Sequence, residues 1–242
     1  MFFSIKSIEM LVAILTVTFV YIISVSVVGY VRAFVAKKLG DTLPEELGFL
    51  TLSPFAHVSL FWLFCLIFFQ LFDPRDLIAL GRYIPLSVEA FTGKWRRSKM
   101  VLAHLSDVIA SFFIAFFFLL FIFIVYQNKT LFLLYHPFSF KHVVAVLGNN
   151  VEPSFLVLTY GALVMFIFNC VLTAVSFFVN CYTMISSYMA MQWGISFSSE
   201  LVKIIAFIML WILLLPLLVY HVQFFILKMV TLISYKLGFV KI

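Results

Sequence analysis

Charge is what this chain has least of: 11% of its 242 residues are Asp, Glu, Lys or Arg, where soluble domains carry about a quarter. That scarcity excludes a soluble globular fold and leaves an integral membrane protein, with no polar stretch long enough for a second domain; residues 1–242 read as a single polytopic membrane domain. Cysteine is also sparse. Cys65, Cys170 and Cys181 all fall in apolar segments with no short spacing between them, which argues against a disulfide framework and a zinc ribbon and reads them as buried structural thiols. Acidic residues are missing between Glu152 and Glu200, and proline between Pro153 and Pro216. No internal repeat is visible and few charges lie deep in the apolar runs, so the usual pointers to a transporter or channel subunit are weak.

What is present is apolar: 65% hydrophobic residues, 32 of the 242 being phenylalanine. The runs are too long and too unalternating for barrel strands, so the spans are helices. Met10–Val28 is the first, about 20 residues being what crosses a bilayer. Lys6 precedes it, but Arg32, Lys37 and Lys38 follow a long apolar stretch, which favours a retained anchor over a signal peptide. Val58–Phe72 is a short second run, expected as a thin or tilted span, and Val101–Tyr126 is the third. Phe155–Ala190 would be about 54 Å long if wholly helical, so it is one protruding helix or two tightly joined segments. Ile204–His221, kinked at Pro216, is the last span. The expected fold is an all-α integral membrane protein of about five transmembrane helices (four to six). The connector Gln127–Pro153 holds an interfacial run at Leu131–Tyr135, and 222–242 is an interfacial C-terminal segment.

The formal charge of +6 lies in loops beside these helices. It reads as topology and contact with acidic membrane lipids, not as nucleic-acid binding. Asp73–Met100 carries Arg75, Arg82, Lys94, Arg96, Arg97 and Lys99, which places it in the cytoplasm by the positive-inside rule. We place the chain in an inner membrane of bacterial type. Two full spans before that loop would put the amino terminus in the cytoplasm as well, and Lys37 and Lys38 on the far side, against the same rule.

The stretch Val28–His57 holds the densest set of signals. Leu39-Gly40-Asp41 should stop a helix, because Gly and Asp favour turn geometry. Leu47–Leu52, with Pro44 before it and Pro54 after it, reads as a short edge strand, and a second is expected at Tyr83–Val88. The order Ala33-Phe34-Val35-Ala36, Leu39-Gly40-Asp41, then Gly48-Phe49-Leu50-Thr51-Leu52-Ser53-Pro54-Phe55-Ala56-His57 resembles the site-2 protease family of intramembrane zinc metalloproteases. There an H-E-x-x-H helix runs through A-x-x-A to L-G-D and on to G-x-L-T-L-N-P-x-A-H. Gly81-Arg82-Tyr83-Ile84-Pro85, followed by Trp95-Arg96-Arg97, is similar to that family's G-x-x-x-P-V segment and its basic end.

The resemblance implies a retained scaffold without the chemistry. Counting back from Asp41, the two zinc histidines fall at Val28 and Arg32 and the general base at Gly29; none can do the inherited work. The family's G-P-x-x-N signature matches His104–Ser111, where it is lost. The third ligand, an Asp in L-D-G, has no counterpart in the acid-free interval. A zinc protease needs three protein ligands, an open water position and a carboxylate base, so we expect no catalytic residues, no metal and no cofactor.

Two polar features remain. Asn169, Thr173, Ser176, Asn180, Thr183 and Ser187 recur at spacings of four and three, a single stripe of hydrogen-bonding groups expected to face protein and not lipid. Arg32, buried among helices if the resemblance holds, needs a carboxylate, and Asp107 is the candidate. His104 and Asp107 share one helix face, as either a relocated metal or proton site or groups at head-group depth. The expected function is a noncatalytic pseudoprotease that binds or scaffolds other integral membrane proteins or peptides, with Arg32, Asp107 and the stripe as interface residues. The alternatives are a metal-dependent peptidase rebuilt on His57, His104 and Asp107, and a transporter or channel subunit.

Overall fold

The computed structural model describes residues 5–72, 79–87, 89–126, 129–135, 140–148 and 152–193, together with Phe224 and Lys228. Three helices among them are long and apolar enough to cross a membrane. They lie in α1 (Ile5–Leu39), α5 (Arg96–Tyr126) and α8 (Pro153–Trp193), with candidate spans at Met10–Leu39, Arg96–Tyr126 and Ser154–Ile185. Between them lie α2 (Leu43–Glu46), α3 (Pro54–His57), α4 (Leu60–Gln70), α6 (Thr130–Tyr135) and α7 (Phe140–Leu147). The chain is an all-α membrane protein.

α8 is the central helix: 78% of its apolar window is buried, against 44% for α1 and 33% for α5. It is one continuous helix, which settles the choice left open for Phe155–Ala190. Its Leu163, Phe168 and Cys170 pack with Val17, Tyr21 and Val25 of α1 and Ala115, Leu119 and Ile122 of α5 in a single core. Between helices in lipid, van der Waals fit and polar contacts hold the assembly, since lipid tails are as apolar as leucine. The polar contacts also give the directions. Asn169 meets Ser24 and Asn180 meets Arg32, so α8 runs parallel to α1, while Thr173 meets Ser111 and Asn180 meets Asp107, so α5 is antiparallel to both.

Two expectations need correction. First, α4 spans 11 residues, about 16 Å at 1.5 Å per residue and well short of a hydrocarbon core of about 30 Å. It does not return the chain across: beyond it, the Ser87 amide donates to Asp41 Oδ2 at 2.8 Å, and Arg82 N donates to the His57 carbonyl at 2.7 Å. Lys37, Lys38 and Ser87 of the basic loop therefore lie at the end of the bundle where α1 finishes, and the conflict over Lys37 and Lys38 disappears. Among the described residues three candidate spans stand where four of the expected spans fall, the short run Val58–Phe72 being the one lost; Ile204–His221 and most of 222–242 lie outside them.

Second, there is no strand among the described residues. At Leu47–Leu52, the backbone donors of Leu47–Phe49 are used locally, Leu47 N donating to Leu43 O. Gly48 N donates to Glu45 O and Phe49 N to Pro44 O, with Gly48 at φ 80°, so the segment is the left-handed cap of α2 and a turn. The part of Tyr83–Val88 that is described forms no regular element and has no neighbouring strand to pair with, its Ser87 amide going to a carboxylate.

The helix stop at Leu39-Gly40-Asp41 is present. Gly40 has φ 111°, and Gly40 N and Asp41 N donate to Lys37 O and Ala36 O, a Schellman-type cap that a Cβ would strain. Asp41 is buried, and its two carboxylate oxygens accept from Leu43 N and Ser87 N. One side chain thus joins the end of α1, the start of α2 and the 79–87 segment.

Candidate functional site

The site forms where α1, α5, α8 and the 79–87 segment meet. α1 supplies Val28, Gly29 and Arg32 from one face, because positions three and four apart lie over one another on a helix. Tyr21, one turn before Val25, donates its hydroxyl to the Leu80 carbonyl at 3.0 Å and holds the 79–87 segment against the helix.

Arg32 is 6% exposed. Its Nη1 donates to Asp107 Oδ2 at 2.9 Å and to Asn180 Oδ1 at 3.1 Å, and Asn180 Nδ2 donates to Asp107 Oδ1 at 2.7 Å. Asp107 also accepts from the Val108 amide. The pair anticipated from the sequence is thus closed into a triangle by Asn180, with each side chain on a different long helix. The Tyr83 ring covers the guanidinium, 5.9 Å from its carbon to the ring centroid.

Gly29 lies against the His57 ring, so closely that a Cβ there would fall 2.3 Å from Nδ1 and 2.9 Å from Cγ. The ring cannot easily retreat, since His57 Nε2 is 2.6 Å from the Thr51 carbonyl. An imidazole pointing one nitrogen at a carbonyl carries its proton there, leaving Nδ1 as a lone pair with no partner among the described residues. Burial pushes His57 below the ordinary imidazole range, outweighing the opposing effect of the Thr51 carbonyl. The sign follows from linkage: a base with a lowered folded pKa contributes its full stability above its ordinary pKa of about 6.5 and loses it as pH falls below that. Thermal unfolding from pH 8 to pH 5 should show this decline, and His57→Gln should flatten it; an unchanged slope in the variant would reject the assignment.

The stripe on α8 divides into a buried stretch and a fringe. Asn169, Thr173, Ser176 and Asn180 are buried, Thr183 is half-buried with its hydroxyl on the Asn180 carbonyl, and the Ser187 side chain lies outside the described residues. Asn169 Nδ2 donates to Ser24 Oγ and Thr173 Oγ1 to Ser111 Oγ, both at 2.9 Å. In a background without native cysteines, single cysteines at 169, 173 and 176 should resist a lipid-phase maleimide, while those at Phe177 and Ile185, 38% and 59% exposed, should label. Equal labelling at both sets would place the stripe in lipid.

Not every candidate converges. His104 Nδ1 donates to the Met100 carbonyl of its own helix. Among the described residues no three His, Cys, Asp or Glu side chains come close enough to hold a metal ion. Sequence reasoning did not single out Tyr21, Ser24 or Ser111. Each is a hydroxyl inside an apolar helix, and Ser111 lies one turn after Asp107, a spacing that could have flagged it.

In comparisons with known proteins, no family model, no curated protein and no solved structure matches this chain.

Proposed function

We propose that the chain is a noncatalytic membrane protein on a site-2-protease-like scaffold, a pseudoprotease that binds a segment of another membrane protein beside residues 80–87. The observation that carries this reading is the Arg32–Asp107–Asn180 triangle, which occupies the place where the resemblance would put a zinc ligand and commits that side chain to holding three helices together. Next to it, the backbone amides of Gly81, Tyr83 and Ile84 donate to no other backbone group among the described residues, the condition under which an incoming segment can add its own hydrogen bonds. The working orientation has Asp73–Met100 and the end of α1 in the cytoplasm of a bacterial-type inner membrane, with membrane lipids and integral membrane proteins as partners.

Detergent co-purification with the 80–87 segment as the variable tests the reading: replacing Tyr83 and Ile84 together by proline, which removes two amide donors, should release partners held by the wild type. The purified chain is also expected to hold no stoichiometric zinc and to cleave no membrane peptide. The competing reading, a peptidase rebuilt on His57, His104 and Asp107, expects about one zinc per chain, lost in His57→Ala or His104→Ala, and elemental analysis showing that would replace the proposal.

A further inference from the structure

Buried serine and threonine hydroxyls on the three long helices find partners inside the bundle. Ser26, Ser106, Ser111, Thr159 and Thr173 each donate to a carbonyl of the preceding turn, and Ser24 donates to Met165 Sδ. Ser176 on α8 is the exception among the described residues. It is 7% exposed, its hydroxyl has no hydrogen-bond partner there, and that oxygen is not sealed in by packing. It borders a cavity of about 290 Å³ between α1, α5, α8 and residues 80–84. Asp107 borders the same cavity, its side chain 11% accessible. A carboxylate offers about four lone-pair sites; Arg32 Nη1, Asn180 Nδ2 and the Val108 amide take three of them, which leaves one acceptor. An unused hydroxyl inside a helix bundle is costly, so Ser176 and Asp107 together call for a group that meets both.

We propose that this cavity binds one neutral hydroxyl carried on an apolar body, accepting from Ser176 and donating to Asp107. A hydroxyl does both through one atom, whereas an ether or a ketone has no proton for the carboxylate. Charge selects the neutral group. Arg32 already answers Asp107, so an anion would set a second negative charge beside the carboxylate and a cation a second positive charge beside the guanidinium. The rest of the wall is apolar, with Val25, Val28, Leu80, Leu172 and Val179. Water alone does not suit it: the space holds several molecules, each needing two to four polar partners. An apolar cavity of about 150 Å³ takes benzene, so this one has room for a phenol, and the Trp62 and Tyr83 rings in its wall can meet it edge to face. The proposal deepens the reading above and rests on it for the carrier, a tyrosine of the segment docked beside residues 80–87. The cavity itself can be tested without that segment.

Trp62 lines the cavity and provides the signal. Full-length protein in phosphatidylcholine nanodiscs at pH 7 would be titrated with 4-bromophenol and with 4-bromotoluene, which has the same shape and no hydroxyl, following quenching that is absent in Trp62→Phe. Saturable quenching by the phenol and not the toluene supports the proposal. Ser176→Ala should weaken phenol binding about fivefold and leave thermal unfolding unchanged, because the hydroxyl holds nothing within the protein. Ser176→Leu, which fills the space, should abolish saturable quenching. Apolar peptides carrying one Tyr or one Phe form the second arm: relief of quenching by the Tyr peptide alone supports the segment as carrier, while phenol binding that neither peptide relieves supports the cavity site and counts against the docked segment. Equal response to phenol and toluene, no saturable quenching, or unchanged affinity in Ser176→Ala would overturn the proposal.

Discussion

Arg32→Ala should lower the unfolding free energy of the detergent-solubilised protein by about 3–5 kcal/mol, the largest effect expected for a single truncation here. The cause lies in what remains afterwards. Asp107, 8% exposed, would keep its charge in a nearly dry environment with only Asn180 Nδ2 and one backbone amide as donors. Asp107→Ala should cost a similar amount by stranding the guanidinium. Replacing both partners by apolar residues, Arg32→Met with Asp107→Leu, should sit near the wild type, because a buried ion pair is close to neutral against a well-packed apolar replacement. The double-mutant cycle would then show strong positive coupling. The exposed Lys37–Glu45 pair, whose side chains are 42% and 40% accessible, is the internal control: Lys37→Ala should cost no more than about 1 kcal/mol. If Arg32→Ala fell in that same small range, the triangle would not be a tie between helices.

Gly29→Ala should destabilise the protein by about 1–3 kcal/mol, the usual range for an overpacked interior. An alanine is normally the better helix former, so a loss here would have to come from the His57 ring, which the added methyl would meet at 2.3 Å. The ring is held from the other side by the Thr51 carbonyl, and the His57 backbone by Arg82 N. His57→Ala would open the space, and in that background Gly29→Ala should become neutral or favourable. The same geometry predicts the fate of a reconstructed zinc motif. Val28→His, Gly29→Glu and Arg32→His together would drive a longer side chain into His57 and remove the counter-charge of Asp107, so this triple variant should fail to accumulate in the membrane. Normal accumulation and stability would show that His57 moves aside freely, and the packing argument for Gly29 would fall.

The sequence by itself determined the features that depend on composition and short-range pattern. Low charge and long apolar runs require membrane helices. The glycine and aspartate after Leu39 end a helix whatever surrounds them, and the three-four spacing of Asn169, Thr173, Ser176 and Asn180 sets them on one face. The Arg32–Asp107 pairing was expected only through the resemblance, which placed Arg32 among the helices, where a cation needs a carboxylate. Only the tertiary structure decided which groups complete these features. Asn180 reaches Arg32 across 148 residues of chain, and no local pattern distinguishes it from Asn169, which turns to Ser24 instead. The side on which α4 leaves the chain depended on 11 helical residues where the apolar run suggested more, and on Asp41 accepting from Ser87. The expected strands failed for the same reason: strand character depends on a partner in space, and here the nearby donors went to a helix cap and a carboxylate. The contact of Gly29 with His57 is likewise a matter of how α3 meets α1, set by packing that the residues encode jointly and no single motif displays.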